Sequence, residues 1–319
     1  MTQATSIRKD FLSILDLDPP DLERCLQIAA QLKADRCLGG RAPTADALSG
    51  RHVALLFDKP SLRTRTTFEI AVRELGGHFV ALLPDVALGR REMVADVARN
   101  LERWVDAVVI RTFSQAVLQE FAAATRRLHV VNALTDQEHP CQAIADFMTL
   151  QEQWGQVRGR TIAYVGDGNN VATSLAHGAA MLGVNVHMAS PEAYQLPHAV
   201  VQQATTHARH GARLRFFTEA ADAVTGADAV YTDTWTSMGQ EAQADARRAA
   251  FAPYQVNEEL MSLAKPSALF MHCLPAHRGE EVTAEVFESD ASVVFDQAEN
   301  RLHGQKALLL MLLAPTASM

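Results

Sequence analysis

The chain has 319 residues, 48% of them hydrophobic, ample for two globular domains of ordinary size. A formal net charge of −8 argues against nucleic acid as the main partner, so an anionic ligand has to be drawn by a local cluster of basic side chains. No apolar run reaches the roughly 18 residues of a membrane span, and the polar stretch 1–10 lacks the apolar core of a signal peptide. Cys25, Cys37, Cys141 and Cys273 show no CxxC pairing, so neither a zinc site nor a disulfide framework is suggested. The expected compartment is a reducing cytoplasm.

Apolar and charged positions alternate at helical spacing over about 7–32, and Pro19-Pro20 predicts a second helix starting at Asp21. A loop over 39–43 follows. Strands are then predicted over 52–57, 78–83, 107–111 and 130–133, with helices over 92–104, 115–124 and 139–154 between and after them. The glycines at 155 and 159 mark the expected linker, after which the same grammar restarts. Strands are predicted over 161–165, 184–189, 213–217, 228–232, 268–273 and 293–295, and helices over 171–182, 199–210 and 298–313. The fold class is therefore α/β: two domains, each a mostly parallel sheet flanked by helices. In such sheets ligands bind outside the carboxyl ends of the strands.

The stretch 57–69 reads F-D-K-P-S-L-R-T-R-T-T-F-E. Pro60 breaks the strand, Ser61 is placed to cap a helix, and Phe68, Ala71, Val72 and Leu75 recur behind it at helical spacing. Ser61, Arg63, Thr64 and Arg65 thus fall at a helix N-terminus, where free N–H groups and the helix dipole favour an anion and guanidiniums add forked donors. Arg111 ends its strand at the same edge. His139 and Gln142, in H-P-C-Q before a helix, supply imidazole and carboxamide donors for a carbonyl oxygen.

In the second half, G-D-G-N-N-V at 166–171 lacks the third glycine of a dinucleotide fingerprint, because Val171 stands in its place. Asn169 and Asn170 offer amides to a zwitterion such as an amino acid. Asp233 ends a strand and is placed to hold an ammonium group, with Ser237 and nearby backbone for a carboxylate. Cys273 sits at another strand end among His272, His277 and Arg278, surroundings that favour an altered thiol. Arg301 begins the terminal helix and offers a further cation.

Six motifs, S-L-R-T-R, H-P-C-Q, G-D-G-N-N, D-T-W-T-S-M-G-Q-E, H-C-L-P-A-H-R-G and F-D-Q-A-E-N-R, follow one another along the chain. In this order, and over nearly the whole length, the sequence resembles the aspartate/ornithine carbamoyltransferase family. The resemblance implies a carbamoyl-phosphate domain over 1–150, rejoined by a terminal helix at about 300–319, and an ornithine domain over 151–299. It implies carbamoyl-phosphate contacts at Ser61, Leu62, Arg63, Thr64, Arg111, His139, Gln142, Cys273, Leu274 and Arg301. It implies ornithine contacts at Asn170, Asp233, Ser237 and Met238, and catalytic roles for Cys273, Asp233, Arg111 and His139. The D-x-W-x-S-M-G form resembles members whose acceptor is ornithine rather than aspartate. The implied reaction carbamoylates the δ-amine of L-ornithine, giving citrulline and phosphate without metal or organic cofactor; N-acetylornithine or putrescine is the alternative acceptor. A homotrimer with active sites at its subunit interfaces is implied as well. Two positions depart from the pattern: Leu62 replaces a common Thr, and Ala87 stands where many members carry a Gln, with Arg90 and Arg91 nearby as candidate substitutes.

Overall fold

The computed structural model describes residues 9–58, 61–82, 91–237 and 239–314. Met238, Ala87 and Arg90 lie outside the described residues. The chain divides into two compact units, one of Met1–Met148 with Glu299–Met319, the other of Thr149–Ala298.

The first unit is built on β1 (His52–Phe57), β2 (His78–Leu82), β3 (Ala107–Arg111) and β4 (His129–Leu134), in the order β2-β1-β3-β4, every pair parallel. Apolar residues fill β1 and β3 almost throughout and are buried along them, as strands covered on both faces require. The connecting helices are α1 (Pro19–Ala34), α2 (Leu62–Glu74), α3 (Val94–Leu101), α4 (Gln115–Ala123) and α5 (Pro140–Trp154). Phe68, Ala71, Val72 and Leu75 are fully buried, so the predicted face of α2 is the one that packs.

The N-terminal segment departs from its predicted helix. Phe11 instead bridges Val131, its N–H donating to Val130 O at 2.8 Å and its carbonyl accepting from Asn132 N–H at 2.7 Å. Strand β4 is the edge of the sheet, and this pairing covers otherwise open backbone groups. Among the described residues before α1, the helical element is a short 3₁₀ turn, Ile14–Asp16. Helix α1 opens at Pro19 rather than Asp21, because a proline needs no N–H in the first turn and Asp18 caps the Asp21 N–H at 2.8 Å.

The second unit holds β5 (Thr161–Val165), β6 (Asn185–Ala189), β7 (Leu214–Phe217), β8 (Ala229–Thr232) and β9 (Leu269–His272), all parallel, in the order β7-β6-β5-β8-β9. Its helices are α6 (Asn170–Leu182), α7 (His198–His207), α8 (Ala220–Val224), α9 (Ala244–Phe251), α10 (Glu258–Met261) and α11 (Ala284–Phe287). The strand predicted over 293–295 does not form. Backbone at 291–293 makes one isolated bridge beside Phe270, and α12 (Val294–Leu313) begins at once. Val293 and Val294 are buried while Phe295 is 66% exposed, so the apolar triplet straddles a bridge and a helix start.

From Glu299 onward, α12 belongs to the first unit. There Lys306 Nζ pairs with Glu74 Oε2 at 2.9 Å and Lys33 Nζ donates to Asn300 Oδ1 at 2.9 Å. In each sheet the winding direction reverses, between β1 and β3 in the first and between β5 and β8 in the second. Open α/β sheets bind ligands at such points. Among the described residues no helix is long and apolar enough to cross a membrane.

Candidate active site

At the carboxyl ends of β1 and β3, α2 starts with Ser61 in the N-cap position. The Ser61 side chain makes no capping hydrogen bond, contrary to expectation, and Leu62 is 77% exposed at the first helical position. Arg65 points away, paired with Glu69 one turn on at 2.9 Å. Thr64 lies on the inner side and is buried. Its Oγ1 accepts from Arg301 Nη2 at 2.5 Å and, more weakly, from Arg111 Nη1 at 3.5 Å. Arg301 also donates through Nη1 to Gln142 Oε1 and, at 3.4 Å, to His139 Nε2. Gln142 is oriented in turn by its own donation to Asp146 Oδ1 at 2.8 Å.

Thr64, Arg111, His139, Gln142 and Arg301, spread over 237 positions of sequence, therefore form one polar cluster within the first unit. Burial pushes the His139 imidazole well below its usual range, and Arg301, Arg111 and Arg63 push it further. A guanidinium only donates, so Nε2 accepts and the ring is neutral with its proton on Nδ1. Guanidiniums and a helix N-terminus around a neutral imidazole and a carboxamide suit a phosphate joined to a polarisable carbonyl.

At the ends of β5, β8 and β9 the second unit gathers a different set. Asp233 Oδ1 accepts from Cys273 Sγ at 3.0 Å and from Thr234 N–H at 2.8 Å, and Oδ2 accepts from Asn169 Nδ2 at 2.8 Å. The carboxylate direction is thus fixed by three segments. Asn169 caps α6 with its carbonyl oxygen, at 2.9 Å from Val171 N and 3.1 Å from Ala172 N, which leaves its amide to reach Asp233. Asn170 follows as the first residue of α6. Ser237 lies in a turn closed by Gln240, whose Oε1 accepts the Ser237 N–H at 3.1 Å.

Leu274 adopts a left-handed φ of 62°, a conformation costing a non-glycine residue roughly 1–2 kcal/mol. It is held there by its N–H donating to His272 Nδ1 at 2.8 Å. His272 Nε2 in turn lies 3.2 Å from Glu281 Oε1, both side chains being fully buried. Burial alone would raise the Glu281 carboxyl, but hydrogen bonds from His272 and the His277 N–H hold it below its usual range. The ligand atoms of Asp233, His272 and Cys273 lie within 4.8 Å of one another, yet both His272 nitrogens are already engaged in this support, which disfavours a metal there.

Sequence reading singled out neither Asn169 as the group that orients Asp233 nor the His272–Glu281 pair behind Leu274. The N-cap position of Asn169 was a usable signal, since a capping side chain with a free amide turns back toward the preceding strands. The partnership with Glu281 had no local signal.

Residues 9–152 match the aspartate/ornithine carbamoyltransferase carbamoyl-P binding domain, and residues 158–312 match the Asp/Orn binding domain of the same family. An ornithine carbamoyltransferase of Symbiobacterium thermophilum is 49% identical over 308 residues, covering 96% of this chain and 98% of that protein. The solved ornithine carbamoyltransferase of Pyrococcus furiosus superimposes with a TM-score of 0.91 at 44% identity, covering 95% of this chain and 96% of its own. The anabolic ornithine carbamoyltransferase of Campylobacter jejuni gives 0.89 at 35% identity, covering 96% and 99%. With both family domains matched in order over nearly all of its length, the chain belongs to the aspartate/ornithine carbamoyltransferase family.

Proposed function

We infer that the protein is an ornithine carbamoyltransferase, transferring the carbamoyl group of carbamoyl phosphate to the δ-amine of L-ornithine to give L-citrulline and phosphate. The observation that carries this reading is the pair of polar clusters at the two sheet switch points, one rich in guanidiniums and the other centred on Asp233. It is supported by the ornithine carbamoyltransferases that match over 96% of the chain.

The site assignments extend the reading. Arg63, Arg301, Ser61 and the N–H groups at Leu62 and Thr64 hold the phosphate as it leaves. Arg111, His139, the Thr64 hydroxyl and Gln142 orient and polarise the carbamoyl group, each such donor being worth about 2.7–4 kcal/mol in the transition state. The neutral His139 fits this role, since it keeps one N–H to offer without adding a fourth positive charge beside Arg301, Arg111 and Arg63. Asn170, Ser237 and Met238 take the amino-acid end of ornithine, while Asp233 and Cys273 position the δ-amine and assist its deprotonation, a free alkylamine being mostly protonated near pH 7. Cys273 and Leu274 are assigned to carbamoyl phosphate as well. Phosphate is a good leaving group, so the chemistry requires no metal or organic cofactor.

We assign residues 1–150 with 300–319 to carbamoyl phosphate and 151–299 to ornithine. A homotrimer with interfacial active sites is supported by large exposed apolar side chains on the first unit, among them Leu62, Met93 and Trp104 at 77%, 68% and 68% exposure. In such an assembly Arg91, exposed in this chain, or Arg90 takes over the part of the Gln absent at Ala87. A cytoplasmic setting is supported by the four free cysteines, and a place in arginine biosynthesis by the anabolic relative.

The deciding experiment offers carbamoyl phosphate with ornithine, N-acetylornithine, putrescine or aspartate to enzyme whose mass has been measured by light scattering. Citrulline and phosphate formed with ornithine alone, at three chain masses, is the expected result. Turnover confined to another amine would overturn the acceptor assignment, and a monomer would overturn the interfacial site.

A further inference from the structure

Arg247 lies on α9 and belongs to none of the motifs that drew attention to the site. It is nevertheless only 3% exposed. Its Nε donates to the Trp235 carbonyl at 2.5 Å, and its Nη2 to Asp167 Oδ2. The guanidinium lies over the Tyr194 ring at 4.7 Å and the Phe251 ring at 5.3 Å. A buried guanidinium persists only where its charge is balanced and its donors are met, and here partners from separate segments of the second unit do both.

The placement of those partners gives the contact its meaning. Asp167 stands in the turn after β5, two residues before Asn169 and three before Asn170. Trp235 stands two residues after Asp233 and two before Ser237. The turn itself has little freedom, since Gly168 N donates to Tyr194 O at 2.7 Å and a Cβ on Gly168 would lie 2.5 Å from Leu196 N. The described residues of 234–240 lie in neither strand nor helix; Thr234 N–H donates to Asp233, and Ser237 and Gln240 close a turn.

We propose that Arg247 is a positioning residue that ties the 166–170 turn to the 233–240 segment, so that Asn170, Asp233 and Ser237 present one preformed surface to the amino-acid substrate. This rests on the assignment of ornithine to those three residues. Arg247 acts through its neighbours. Burial raises the Asp167 carboxyl to about 6 against the opposing pull of Arg247, so the pair is charged at neutral pH and its grip weakens in mild acid. Lysine is a poor substitute, because it is a single point donor without the planar face that lies over Tyr194 and Phe251.

The test compares wild type with Arg247→Gln and the milder Arg247→Lys in two measurements. In steady-state kinetics the ornithine KM should rise about tenfold or more in both variants, with the carbamoyl-phosphate KM and the kcat at saturating ornithine within about threefold of wild type. In amide hydrogen exchange, protection should fall at 166–171 and 233–240 and stay unchanged in β5, β6 and β8. An unchanged ornithine KM with unchanged exchange in both segments would overturn the proposal. So would loss of protection throughout the sheet in both variants, which would make Arg247 a general fold contact. If wild type fails to use ornithine at all, the functional reading fails instead, and the exchange experiment still reports whether Arg247 ties the two segments together.

Discussion

Cys273 donates its thiol hydrogen to Asp233, whose direction is also held by Asn169 and the Thr234 N–H. Replacing Cys273 with Ala therefore leaves the carboxylate oriented and removes only the thiol. If the thiol assists proton removal from the δ-amine, kcat should fall about 10²-fold with modest change in the ornithine KM. Steady-state kinetics with ornithine varied decides this, and an unchanged kcat with a raised KM would make Cys273 a binding residue. At this scale much of the candidate site was legible in the sequence, because Ser61, Arg63, Arg111, Asp233 and Cys273 all stand at or just after strand ends that apolar runs reveal. What was not legible is who orients whom. Arg301 meets Thr64 across 237 positions and Arg247 meets Asp167 across 80, and no local pattern encodes such partnerships.

Among the elements, α12 shows what packing asks of a helix. Gly304 sits inside it, where glycine is unfavourable by roughly 1 kcal/mol relative to alanine. A Cβ there would meet Ile144 Cγ2 of α5 at 2.8 Å, and the bare glycine permits the close approach. Gly304→Ala should consequently lower stability by about 1–3 kcal/mol despite its better helix propensity, and Ile144→Ala in the same chain should recover part of the loss. Urea denaturation of the single and double variants checks this; a gain in stability from Gly304→Ala alone would show that α5 yields. The elements read wrongly share a cause. Phe11 and the 291–293 backbone are short segments whose conformation is set by a neighbouring strand, so their own spacing of apolar residues carried the wrong signal.

For the molecule as a whole, buried imidazoles contribute to the response to acid, alongside carboxylates held down by native partners. His303 on α12 is pushed down to about 4, chiefly by burial, with Glu299 opposing and Lys306 and Lys33 pushing the same way as burial. An unfolded histidine takes its proton near pH 6.5. Between there and about 4 the unfolded chain binds a proton that the folded one refuses, so stability falls as pH drops through that window. His139 is held down in the same direction. His303→Leu should therefore flatten the loss of stability between about pH 7 and 5, as measured by urea midpoints at the two values. A slope identical to wild type would show that His303 is not part of the acid response.

Most of the strands, the long helices and the two-unit α/β plan were determined by the sequence alone, because parallel strands buried on both faces read as continuous apolar runs, and the family was determined by six motifs in order. The short helices α8 to α11 and the segments at Phe11 and 291–293 were not. The tertiary structure decided the rest: that Thr64 faces inward while Arg65 faces solvent, that Asn169 serves Asp233, that Glu281 supports Leu274, and that Arg247 joins two segments. Each of these depends on which residues distant in sequence come within about 3 Å, the reach of a hydrogen bond. That reach is set by strand order and helix packing, which no single stretch of the chain contains.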